Sequence, residues 1–155
     1  MEFLAGLHPK VVHFPIALLL TYVILETIGI VFRKEFYQKA AHLLLFLGVI
    51  GAFFAVLTGN QAHTAYKYWN ESSSQLFNEH QTFANFTVWY FVGLLVVRTY
   101  LVVKKNFSSF YKYIILAFAF FGCYLIYQTA EHGGNLIKKF GVGTELNFNL
   151  TEPND

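Results

Sequence analysis

The chain has 155 residues, of which 55% are hydrophobic and 19% aromatic, and only 13% carry charge. That balance excludes an ordinary soluble domain, and a formal net charge of +2 is too small for a nucleic-acid partner. The single cysteine, Cys123, excludes an intrachain disulfide, a thiolate metal cluster and covalent haem attachment.

In chain order, the first notable stretch is Leu7 to Leu19, which sets His8, Pro9, His13 and Pro15 at the threshold of a long apolar run. No small-residue cleavage site follows this run, so the first helix is expected to be retained. Four segments, 11–32, 40–58, 83–103 and 111–130, each approach the roughly 20 residues needed to cross a hydrocarbon core of about 30 Å. No linker, low-complexity segment or internal repeat is evident, which predicts a single membrane domain over residues 1–155. The fold class expected is all-α, an integral membrane four-helix bundle in up-down order. Arg33, Lys34 and Lys39, and Lys104, Lys105 and Lys112, make the two short connectors basic. By the positive-inside rule these connectors face the cytoplasm, so both termini, a loop over 59–82 and a tail over 131–155 face outward. Lys138 and Lys139 oppose this orientation but are fewer. Within the loop, Tyr66, Tyr68 and Trp69 suit the headgroup level, and residues 70–74 read as an exposed turn. The expected location is a bacterial inner membrane, with lipid as the surrounding partner.

On the second span Gly48, Ala52, Ala55 and Gly59 recur at helical spacing, which suits close packing by a helix or by a flat cofactor. Glu26 and Arg98 lie at matching depth, roughly 10 Å inside the basic boundary. An ion pair between first and third helices is the cheapest way to keep both there; an orienting bridge and a proton or quinone site are both open readings.

Of six histidines, His8, His13, His63, His80 and His132 fall at the outer ends of spans, and His42 at the inner end of the second. His42 has no inner histidine for company and is read as an interfacial or hydrogen-bonded residue. The outer five suit axial ligation of haem b, one or two groups, because neutral imidazole binds haem iron and two helices can each supply one ligand. Small neighbours one turn away, Ala17 for His13, Gly59 for His63 and Ala84 for His80, leave room for a ring edge. Gly133 and Gly134 after His132 allow a tight turn. Helix direction suggests diagonal pairs, His13 with His80 and His63 with His132, with His8 spare or bonded to a propionate; Pro9 and Pro15 would start and then bend the first helix. Gln128, Thr129 and Asn85 are placed to tune such an iron. Zinc or copper on the same residues is disfavoured because no acidic or sulfur cluster accompanies them.

The opening Leu7-His8-Pro9-x-x-Val12-His13-Phe14-Pro15-Ile16-Ala17-Leu18 resembles the start of a family of small four-span membrane proteins, domain of unknown function family 2231. Thr58-Gly59 is similar to the family's Thr-Gly step, and residues 133–143, Gly-Gly-Asn-Leu-Ile-x-x-x-Gly-Val-Gly, resemble its ending. Ile137-Lys138 and Thr144 depart from that ending. The resemblance implies a place in respiratory or other electron transfer beside c-type cytochrome subunits, and site roles for His8, His13, Gly133 and Gly134. The combined expectation is a bis-histidine haem b subunit for electron transfer near the outer face, rather than a stand-alone enzyme. The alternatives are a non-redox assembly subunit and a quinol-reactive membrane subunit.

Overall fold

The computed structural model describes residues 2–104 and 109–142. Five helices follow one another: α1 (Glu2–Val11), α2 (His13–Val31), α3 (Glu35–Ala65), α4 (Glu71–Val103) and α5 (Ser109–Phe140). No strand occurs among the described residues. α1 and α2 form one nearly continuous rod, since Gly6–Val31 counts with α3, α4 and α5 as the four stretches long and apolar enough to cross a membrane. The rod is interrupted at Val12, three residues before Pro15, whose missing N–H leaves the Val11 carbonyl without its helical partner. Pro9 lies inside α1 and does not start a helix.

The helices outrun the apolar segments. α3 has 31 residues and α4 has 33, or roughly 45–50 Å at the α-helical rise. Most of the expected loop over 59–82 is therefore helix, and the connector shrinks to 66–70. Asn70 ends that connector with a capping box: its Oδ1 accepts from Ser73 N–H at 2.8 Å, and its own N–H donates to Ser73 Oγ at 3.0 Å. The supposed turn at 70–74 is thus a helix start. Likewise α5 continues to Phe140, so the first ten residues of the expected tail are helical; residues 143–155 lie outside the described part. Hydropathy marks where lipid ends, while backbone hydrogen bonding carries the helix further.

α2, α3, α4 and α5 pack as a ring in chain order, closed by α5 against α2, with α1 lying on α3. The first and third spans are diagonal, as are the second and fourth, which is the square arrangement expected. Leu19, Tyr22, Leu45, Phe91, Ile115, Ala119 and Ile126 form the core. Large apolar side chains such as Phe54, Trp89, Val103 and Phe110 stay exposed on the outside, as a lipid-facing surface requires.

The small-residue stripe on α3 serves helix packing. A Cβ at Gly48 would meet Leu19 at 2.6 Å, one at Gly51 would meet Phe14 at 3.1 Å, and one at Gly59 would meet His8 at 2.9 Å. The second hairpin repeats this: a Cβ at Gly122 would meet Phe91 at 2.5 Å and one at Gly133 would meet His80 at 3.0 Å. The correspondence is regular. Positions 8, 19 and 26 match 80, 91 and 98 at a constant offset of 72, while 48 and 59 match 122 and 133 at an offset of 74. Thr27 and Thr99 share the pattern, each hydroxyl donating to the carbonyl one turn back at 2.7 Å. The chain is therefore two parallel helical hairpins related by an approximate two-fold axis along the bundle, the parallel-repeat design known in membrane proteins. The repeat escapes inspection of the sequence because between 8–31 and 80–103 only His8/His80, Phe14/Phe86, Thr27/Thr99 and Val31/Val103 are identical.

Candidate functional site

The two-fold places His8 of α1 and His80 of α4 at equivalent positions at one end of the bundle, on opposite sides of the axis. They are within electrostatic reach of one another. His8 Nδ1 lies 3.1 Å from Thr58 Oγ1. The Thr58 hydroxyl donates to the carbonyls of Phe54 and Ala55, each at 3.0 Å, so its oxygen is left to accept and His8 Nδ1 carries the proton. His80 Nδ1 lies 3.0 Å from the Thr129 carbonyl, which only accepts, so Nδ1 is again the donor. Both imidazoles are thereby held as the Nδ1–H tautomer, with the lone pair on Nε2. Each ring rests against a glycine of the neighbouring helix, Gly59 or Gly133, where any side chain would push it away. Thr129 is itself held by α4, its hydroxyl 3.0 Å from that of Thr87.

This pairing differs from the one expected. His13 is exposed at the start of α2, and His8, expected to be spare, takes its place opposite His80. The physical reason is helical phase: five residues set His8 and His13 roughly 140° apart on the rod, so with His8 against Thr58 and Gly59 of α3, His13 turns outward. His63 and His132 are not brought together. His63 stacks on Phe77 at 4.0 Å between centroids and lies 4.8 Å from Trp69, closing a cluster with Tyr66, which is 4.9 Å from Trp69. His132 Nδ1 donates to the Gln128 carbonyl at 2.7 Å, and its Nε2 lies 3.9 Å from Glu79 Oε2. Gly59 and Gly133 both belong to the site, but they admit the histidine rings and not a porphyrin edge. Gly134 has open space beside it. The sequence offers Thr58 only as half of a motif and Thr129 only as a tuning residue, and the repeat offset does not relate them, since 74 residues beyond Thr58 stands His132.

No group of three or more candidate metal ligands exists among the described residues, so a tetrahedral protein-only metal site has no support here. A two-imidazole donor set is different. His8 and His80 are each oriented through Nδ1 by a partner on the adjacent helix, which leaves their Nε2 lone pairs as candidate donors to a metal or cofactor.

At the other end the expected ion pair is present. Arg98 Nε and Nη2 donate to Glu26 Oε1 and Oε2 at 3.2 and 2.7 Å, and Nη2 also donates to the Gln38 carbonyl at 2.8 Å. Both side chains are fully buried, at 1% and 0% exposure. Because 26 and 98 are two-fold equivalents, the pair crosses the axis and ties the two hairpins together. His42, expected to be interfacial or hydrogen-bonded, keeps a buried Nδ1 without a hydrogen-bond partner among the described residues.

These features define a helical membrane protein of two parallel hairpins, with a paired-imidazole site at one end and a buried ion pair towards the other. A family model described as predicted membrane protein (DUF2231) matches residues 5–146, and the chain belongs to that family. No curated protein and no solved structure matches it. The three motifs that carried the resemblance gain a shared meaning: each contributes to the imidazole pair, through His8 itself, through Thr58 and Gly59, and through Gly133.

Proposed function

We propose that this protein is a membrane electron-transfer subunit that holds one haem b between His8 and His80. One observation carries the reading: two symmetry-equivalent imidazoles, each fixed through Nδ1 to the adjacent helix with Nε2 free of any hydrogen bond among the described residues. Bound there, haem would supply reversible one-electron exchange at its iron. Thr58 and the Thr129 carbonyl orient the rings and raise their basicity as ligands. Gly59 and Gly133 let those rings sit close to the helices. Only one such pair is assembled, so the proposal is for one haem and not two. Arg33, Lys34 and Lys104 mark the opposite end as cytoplasmic. The haem end is then the outer face of a bacterial inner membrane, open to a c-type cytochrome partner.

Absorption and electron paramagnetic resonance spectra of protein purified from haem-replete cells test this. The expected result is a Soret band, an α band on dithionite reduction and a low-spin bis-imidazole signal. His8→Ala and His80→Ala should each abolish that signal, while His13→Ala and His63→Ala should keep it. A folded preparation from haem-replete cells that shows no Soret band refutes the proposal.

A further inference from the structure

Among the described residues two buried polar side-chain atoms have no hydrogen-bond partner, the Tyr22 hydroxyl and His42 Nδ1, and both lie around the same ion pair. Tyr22 is 0% exposed and precedes Glu26 by one helical turn, so the two share a face of α2. Its hydroxyl is within electrostatic reach of Glu26 and of Arg98. His42 follows Gln38, whose carbonyl accepts from Arg98, by one turn of α3, and it too is within reach of Arg98. Three helices therefore converge polar groups on one level of the core.

Glu26 has acceptor capacity to spare. Its carboxylate receives one hydrogen bond on each oxygen from Arg98, and an ionised carboxylate has about four lone-pair sites. The Tyr22 O–H is a donor that needs an acceptor, and a buried hydroxyl without one is costly. A water molecule needs two to four polar partners to be stable inside a protein, and the Tyr22 hydroxyl, the spare Glu26 lone pairs and His42 Nδ1 are the groups near the ion pair with bonding capacity left. The spare lone pairs and the two orphaned atoms are complementary.

We propose that the ion pair is the core of an internal hydration site, in which ordered water joins the Tyr22 hydroxyl to the Glu26 carboxylate and reaches towards His42. The ligand is water. The site stands independently of the haem reading, because it lies away from His8 and His80 and uses none of their groups.

Water oxygen-17 magnetic relaxation dispersion of the detergent-solubilised protein counts long-lived internal waters. The wild type should show a dispersion step, and Tyr22→Phe, which removes only the hydroxyl, should lower its amplitude by about one water. His42→Phe, at the edge of the site, should lower it or shorten the residence time. Tyr22→Phe should also lower Tm, since it strips a bridged partner from Glu26. If neither variant changes the dispersion, the proposal is overturned; the Tm of Tyr22→Phe then remains at or above that of the wild type, as removal of an unsatisfied hydroxyl requires.

Discussion

Replacing Arg98 with methionine keeps most of the side-chain volume but leaves Glu26, at 0% exposure, as an unpaired charge in the bundle core. Three hydrogen bonds, of 3.2, 2.7 and 2.8 Å, are lost together. Breaking a buried pair from one side costs about 3–5 kcal/mol, because the remaining charge has no compensation. For a chain of this size each kcal/mol moves Tm by about 2–4 °C, so Arg98→Met should melt roughly 6–20 °C below the wild type. Replacing both partners by apolar residues, Glu26→Leu with Arg98→Met, should recover most or all of this, since such replacements are often neutral or stabilising. The two-fold makes a stricter demand. Positions 26 and 98 are equivalent across the axis, so the exchange Glu26→Arg with Arg98→Glu should be far more stable than either single reversal. Thermal unfolding in detergent micelles, followed by far-UV circular dichroism, measures all of these. A loss of less than about 1 kcal/mol in Arg98→Met, the behaviour of a solvated pair, would refute the argument, as would a double apolar variant no better than the single one.

The glycines give paired controls. Gly122→Ala would set a Cβ 2.5 Å from the Phe91 ring and should cost about 1–3 kcal/mol by overpacking, whereas Gly93→Ala, with nothing within 4 Å, should stabilise α4 by about 0.5–1 kcal/mol; chemical or thermal unfolding distinguishes them. Gly133→Ala crowds the His80 ring and should shift the bound haem's spectrum or reduce its occupancy, while Gly134→Ala, facing open space, should leave the spectrum unchanged. Asn70→Ala removes the side-chain half of the α4 capping box and should lower stability by about 1 kcal/mol. Finally, a chain cut within the connector 66–70 should yield two hairpins that co-purify from one membrane, because the interface between them includes the Glu26–Arg98 pair; failure of the halves to associate would show that the connector is essential to the bundle.

Composition and hydropathy were sufficient for the class of protein. Four apolar runs near 20 residues have few solutions in a membrane other than helices, and short connectors make those helices antiparallel neighbours. The matching depth of Glu26 and Arg98 was also readable, because depth along a helix is a count of residues. So was the gathering of histidines at one end, which follows from topology alone. Helix ends were not readable, since polar residues such as Asn60 to Thr64 and Ser72 to His80 continue a helix once it has been nucleated by the membrane span.

What only the tertiary structure decided is rotation. A count of residues gives height along a helix, but which side chain faces the axis depends on how neighbouring helices pack. Five residues set His8 and His13 roughly 140° apart on a helix, so only one of them can face the bundle; the packing of α1 on α3, through Thr58 and Gly59, selects His8. The two-fold was hidden for a related reason. Packing conserves the geometry of contacts, with Leu19 against Gly48 answering Phe91 against Gly122, while the identities of most residues on the lipid face are free to differ. The sequence by itself determined a four-span helical membrane protein with a buried ion pair; the packing of its two hairpins decided that His8 and His80 stand at equivalent positions at one end of the bundle.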